Sequence, residues 1–164
     1  MPHCLARAIL ITIASVAAVS ARAESASTSL TARIELENAC TVAARDLDFG
    51  IRSSLSQPVD AATTVEVACT NIGAFSLQFD RGTWPSARAE SRKLSNGIDT
   101  VNYSLYADPG RTAVLGDATD GTTELTGTGS GSAQTFTVFG RVFAGQGAKS
   151  IGVYTDTVTA TLGY

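Results

Sequence analysis

The sequence predicts an all-β fold, a two-sheet antiparallel sandwich. Three observations carry this. Short stretches alternate apolar and polar residues with a period of two, as strands with one buried face do. Gly, Asn, Asp and Ser gather between them as turn signals. Beyond the apolar N-terminus, no stretch sustains helical periodicity. The chain has 164 residues, enough for one domain and few for two. It shows no internal repeat and no inter-domain linker.

The opening "MPHCLARAILITIASVAAVSARA" sets basic Arg7 ahead of an apolar run from Ala8 to Val19. It closes on Ala21-Arg22-Ala23, a small-x-small cleavage site. This is the pattern of a secretory signal peptide over residues 1–23, cut after Ala23. An apolar run of about twelve residues falls short of the roughly twenty that span a bilayer. Cleavage removes His3, Cys4, Arg7 and Arg22, leaving ten Lys+Arg against 15 Asp+Glu, a formal charge of −5. An acidic exported domain without a basic cluster gives no footprint for nucleic acid or anionic lipid. The two remaining cysteines, Cys40 and Cys69, are expected to pair as a disulfide, as an even pair does outside a reducing cytosol.

"TSLTARIELENAC", Thr28 to Cys40, comes first after the signal. Leu30, Ala32, Ile34 and Leu36 fall on one face of an extended strand, and Thr31, Arg33, Glu35 and Glu37 on the other. The residues alone leave two readings open: a first strand of its own sandwich, or a strand given to another. "TTVEVACTN" then turns Val65, Val67 and Cys69 to one side. "AFSLQFD" turns Phe75, Leu77 and Phe79 inward, and "TVNYSLYAD" does so with Val101, Tyr103 and Leu105. "QTFTVFGRVFAG" alternates through Phe136, Val138, Gly140 and Val142, with Gly140 a candidate bulge. "GVYTDTVTATLGY" sets Thr155, Thr157, Thr159 and Thr161 against Tyr154, Asp156, Val158, Ala160, Leu162 and Tyr164. Between strands, Asn96-Gly97 is a tight-turn signal, and "TGTGSGSA", Thr126 to Ala133, reads as a flexible loop.

Chemistry is sparse. Without His3 the chain has no histidine, which removes the Ser-His-Asp and Cys-His arrangements and the commonest metal ligand. A disulfide would also withdraw both thiolates from a zinc site. Carboxylate pairs remain as the glycosidase-like possibility: Asp46 with Asp48, or Asp117 with Asp120. Both pairs lie beside turn residues, where Asp commonly bonds its own backbone. Asp108 and Asp117 match no calcium-loop spacing. The lone Trp84 reads either as a sugar-stacking loop residue or as cover for an open end of the core. Asp156, on a mostly apolar face, is either hydrogen-bonded locally or turned outward by a bulge. No catalytic residue, cofactor, metal or small-molecule substrate is expected.

Six stretches resemble the spore coat protein U domain family, which includes major subunits of archaic chaperone–usher pili of the Csu type. They are "ACTV" at Ala39–Val42, "LDFG" at Leu47–Gly50, "TTVEVACT" at Thr63–Thr70, "VNYSLYAD" at Val101–Asp108, "TVFGRVFAGQ" at Thr137–Gln146 and "GVYTDTVTATLGY" at Gly152–Tyr164. The loops between Arg81 and Leu94 and between Gly110 and Gln134 carry no matching pattern, and "AGQGAKSIG" lacks a proline often found there.

The resemblance implies an immunoglobulin-like sandwich, residues 38–164, that lacks its last strand. It implies a donor-strand extension over residues 24–37, with Leu30, Ala32, Ile34 and Leu36 as the side chains that enter a neighbour's groove. The acceptor edge would run along Tyr154, Val158, Leu162 and Tyr164, and no residues would follow this strand to supply another. The implied partners are a periplasmic chaperone, an outer-membrane usher and neighbouring pilus or coat subunits. The implied route is through the periplasm to the cell surface. The alternative reading is a tip adhesin or a secreted surface-binding sandwich.

Overall fold

The computed structural model describes Arg22 and residues 24–164. The expected signal segment and its cleavage site lie outside the described residues, apart from Arg22. Two units divide the chain, Met1–Ile34 and Glu35–Tyr164. In the first, the described residues up to Ile34 form no regular secondary structure and are exposed. The strand read over 28–36 is therefore absent as a ladder. Alternation fits a segment to be a strand, but a strand forms only against a partner.

The second unit holds eight strands: β1 (Cys40–Ala44), β2 (Val59–Cys69), β3 (Ala74–Phe79), β4 (Arg92–Ser95), β5 (Thr100–Tyr106), β6 (Leu125–Thr128), β7 (Ala133–Val142) and β8 (Ala160–Gly163). They form two antiparallel sheets, β1-β2-β7-β5-β4 and β6-β3-β8. The core between them is built from the faces that the alternation marks. Val65, Val67 and Cys69 of β2, Phe75, Leu77 and Phe79 of β3, and Val101, Tyr103 and Leu105 of β5 are all buried. Cys40 faces Cys69 across the β1–β2 ladder, and a disulfide joins them.

Three details differ from the sequence reading. Gly140 stays in register, opposite Ala61 on β2 and Leu105 on β5, with no bulge. A Cβ there would lie 2.5 Å from Leu47 Cδ2 and 2.9 Å from Phe49 Cζ, so glycine makes room for side chains crossing the strand. The first three residues of the Gly/Ser-rich stretch are ordered in β6, where Gly127 lets the Phe75 ring lie against its backbone. The last strand is laddered only over Ala160–Gly163. Nearer its start, Thr155 bridges to Ser95 of β4, in the other sheet.

Candidate functional site

One side of this sandwich is open. Thr155 and Ser95 exchange both backbone hydrogen bonds, at 2.9 and 3.0 Å, and the Asp80 amide donates to the Thr159 carbonyl at 3.0 Å. The β3 ladder continues this line with Gln78 opposite Thr161 and Ser76 opposite Gly163. Thr155, Thr159, Thr161 and Gly163 thus turn their amides and carbonyls towards β3 and β4. By the antiparallel rule, Ala160 and Leu162 turn theirs to the opposite edge. Among the described residues that edge of β8 has no ladder partner. The same holds for β1: Ala39 and Arg45 bond to Thr70 and Thr64 of the β2 line, so Cys40, Val42 and Ala44 face the sheet's free edge.

Side chains follow the same parity. Tyr154, Val158, Ala160 and Leu162 are half-buried against the core, while Thr155, Thr157, Thr159 and Thr161 are exposed. Of the four residues read as an acceptor edge, three therefore lie along one inward line. Tyr164 lies beyond β8 and is 63% exposed. The Tyr154 hydroxyl donates to the Ser150 carbonyl at 2.7 Å, which fastens the preceding loop.

A groove of about 1330 Å³ opens at the end of the sandwich where β2 begins and β7 ends. One wall is the 47–56 segment, the other is 145–154, and core side chains Val59, Val101 and Val142 form its floor. Leu47 and Phe49 stand in the first wall, Phe49 edge-on to Tyr103 with ring centroids 6.0 Å apart. Ile51, Ile151 and Val153 on the rim are 97%, 100% and 82% exposed. Leu30, Ile34 and Leu36 are likewise exposed, at 94%, 83% and 76%, and so is Ala32.

A polar network braces the strand at the groove. Asp156 accepts four hydrogen bonds: from the Tyr103 hydroxyl at 2.8 Å, the Thr83 amide at 2.9 Å, the Thr83 hydroxyl at 2.8 Å and the Thr157 amide at 2.9 Å. Burial, with the adjacent carboxylate, raises the Tyr103 hydroxyl far above the ordinary phenol range, so it stays a donor. Close by, the buried Arg92 guanidinium donates to the carbonyls of Asp80 (2.7 Å), Ala89 (2.6 Å) and Leu115 (2.9 Å). Burial lowers its pKa from the ordinary arginine value. This ties β3 to β4 and to two loops. Sequence reading left Asp156 undecided and missed Arg92, whose partners are backbone atoms that no spacing reveals.

One carboxylate of each pair considered for catalysis is engaged locally. Asp48 accepts the Gly50 amide at 2.7 Å, and Asp117 accepts the Thr119 hydroxyl and amide. Asp108 caps Thr112 and Ala113, whose amides hold its carboxyl below the ordinary range, Ala113 most strongly. Among the described residues no group of three His, Cys, Asp or Glu side chains is placed to hold a metal. Trp84 is 37% exposed in a turn closed by the Ala87 amide on its carbonyl.

A family model described as the Spore Coat Protein U domain matches residues 26–161. The chain belongs to the Spore Coat Protein U domain family. No curated protein matches it. Among solved structures, the domain resembles a chain of the CsuC–CsuE chaperone–tip adhesion subunit pre-assembly complex from the archaic chaperone–usher Csu pili of Acinetobacter baumannii. That match has a TM-score of 0.57 at 15% identity and covers 77% of this chain and 40% of the other. The chain thus spans less than half the length of that relative. It also resembles the P pilus rod subunit PapA, with a TM-score of 0.51 at 17% identity over 76% of this chain and 98% of PapA. These likenesses assign the Spore Coat Protein U domain the immunoglobulin-like sandwich of pilus subunits.

Proposed function

We propose that this protein is a structural subunit of a surface pilus or coat built by the chaperone–usher route, and that it polymerises by donor-strand exchange. The observation that carries the proposal is a pair of complementary deficits. Among the described residues β8 keeps an edge without a ladder partner, an apolar-floored groove has as one wall the 145–154 segment that leads into that strand, and Leu30, Ala32, Ile34 and Leu36 alternate along an exposed segment. A strand inserted beside Val158 and Leu162 would take up the free amides and carbonyls at that edge. Its alternate side chains would fix the register.

Magnitudes support this. Burying a Leu or Ile side chain contributes roughly 1.5–3 kcal/mol. Leu30, Ile34, Leu36 and the smaller Ala32 would add on the order of 5–10 kcal/mol before entropy costs, comparable to a whole domain's stability of about 5–15 kcal/mol. An unfilled subunit therefore needs a chaperone to cover its open edge. The partners are then a periplasmic chaperone, an outer-membrane usher and further subunits, and head-to-tail insertion that does not close yields a fibre. The role is non-enzymatic and needs no cofactor, small-molecule substrate or nucleic acid. The protein crosses the periplasm to the cell surface.

The test is Ile34→Asp and Leu36→Asp, each co-expressed with a chaperone. Normal chaperone complexes without detergent-resistant multimers are expected. Loss of chaperone binding would assign both residues to the domain's own core, and an unchanged ladder of multimers would leave them no donor role.

A further inference from the structure

A donor segment must be kept out of its own groove if it is to fill another. Just C-terminal to Leu36, the residues Glu37–Ala39 are tied to the β2–β3 turn by four hydrogen bonds. The Thr70 amide donates to the Ala39 carbonyl at 2.9 Å, and the Ala39 amide donates to Thr70 Oγ1 at 3.1 Å. The Asn71 amide donates to Asn38 Oδ1 at 3.1 Å, and Asn71 Nδ2 donates to the Glu37 carbonyl at 2.7 Å. The Ala39–Thr70 and Asn38–Asn71 partners follow the β1–β2 register, in which Cys40 faces Cys69, and the Asn71 side chain reaches one residue further to Glu37. The contacts with the β2 line therefore run on past the disulfide. Gly73 makes the fit possible, since a Cβ there would lie 2.9 Å from Asn38 Nδ2. The turn is held in place by the Gly129 amide, which donates to the Gly73 carbonyl at 2.7 Å.

We infer that Asn38 and Asn71 are positioning residues that prevent the subunit from filling its own groove. This rests on the donor-strand reading. For residues 28–36 to lie in the gap beside their own β1, the chain must reverse within Glu37–Ala39, as in a tight hairpin. A reversal at Glu37 and Asn38 breaks the two bonds they make with Asn71. The clamp thereby biases the extension towards another copy. It sits at the end of the sandwich where β2 ends and β3 begins, opposite the end where the groove opens.

The experiment uses residues 24–164 released from a chaperone complex, comparing wild type with Asn71→Ala and Asn38→Ala. Multimers are read on unboiled gels, and the monomer fraction is treated with trypsin, which cuts after Arg33 in an uncovered segment. Asn71→Ala, which removes the bond from Nδ2 to the Glu37 carbonyl and keeps the backbone amide, is expected to move material about fivefold from multimers to closed monomers, the ratio that one lost neutral hydrogen bond gives. Those monomers should resist cleavage after Arg33. A purely structural defect would instead make the segment easier to cut, and that result overturns the inference, as does a ladder equal to wild type. If Asn71→Ala does not accumulate, Asn38→Ala decides between the same outcomes. Failure of both to accumulate assigns the two residues to folding alone. A wild-type protein that forms no multimers removes the donor-strand reading itself, whereas multimers unaffected by either substitution remove only the clamp.

Discussion

Replacing Asp156 with alanine takes four hydrogen bonds from the strand beside the groove and leaves the Tyr103 hydroxyl, in a residue only 4% exposed, without its acceptor. Orphaning a buried donor costs about 1–3 kcal/mol, and the freed Thr83 loop adds about 1 kcal/mol. Asp156→Ala should therefore destabilise the domain by about 2–4 kcal/mol, a large share of a typical total. Tyr103→Phe removes the donor instead and leaves Asp156 three partners, so it should cost only about 1 kcal/mol. Combined, the two should cost less than their sum, because the orphaned hydroxyl is gone, with a coupling of about 1–2 kcal/mol. Urea unfolding measures all four forms on a chain with residues 28–36 repeated after Tyr164 through a flexible linker, so that an empty groove does not dominate. Circular dichroism reports the fold, and fluorescence of Trp84, next to Thr83, reports the loop. Single-variant costs that add in the double variant would refute the network, as would an Asp156→Ala form within about 0.5 kcal/mol of wild type.

Two further outcomes follow from neighbouring features. Gly140→Ala should cost about 1–3 kcal/mol by forcing Leu47 and Phe49 off their packing, and it should also weaken donor binding, since both line the groove wall; thermal melts with and without added 28–36 peptide measure the two effects. Asp60 is held below the ordinary carboxylate range by its hydrogen bond to Arg141, Asp99 by Ser150, Asp108 by Ala113 and Asp117 by Thr119. A depressed pKa contributes stability in full above the unfolded value of about 4 and loses it as pH falls through the folded values. The melting temperature should accordingly be flat from about pH 5 to 8 and fall below about pH 4. A melting temperature that rises on acidification would contradict the assignment.

Period-two alternation was enough to place Val65, Val67, Phe75, Leu77 and Phe79 in the core, because each of those strands has one covered face. It fails on β5, where Ser104 and Tyr106 are buried as well. Loops cover that strand's second face: the Ser104 hydroxyl donates to the Ala89 carbonyl, and Tyr106 bridges to Val114. Composition alone reads Thr126–Ala133 as a loop, although Phe75 over Gly127 draws its first three residues into a sheet. Gly140 looked like a bulge for a related reason, since its purpose lies in Leu47 and Phe49, some ninety residues away. At the site, the inward line Tyr154, Val158, Leu162 was legible as a periodicity. The Asp156 network was not, because its partners stand 53 and 73 residues distant. The clamp was hidden too, since an Asn beside a turn carries no sign of what it bonds.

The central claim is that residues 28–36 complete another copy of this domain, and one gel tests it most directly. Residues 24–164, and a shorter form starting at Asn38, are each co-expressed with a chaperone in the periplasm, purified and run without boiling. The account predicts a ladder of detergent-resistant multimers from the long form alone. A stable monomer from the long form, with the short form unfolded, would mean that the segment completes its own domain, and would contradict the account.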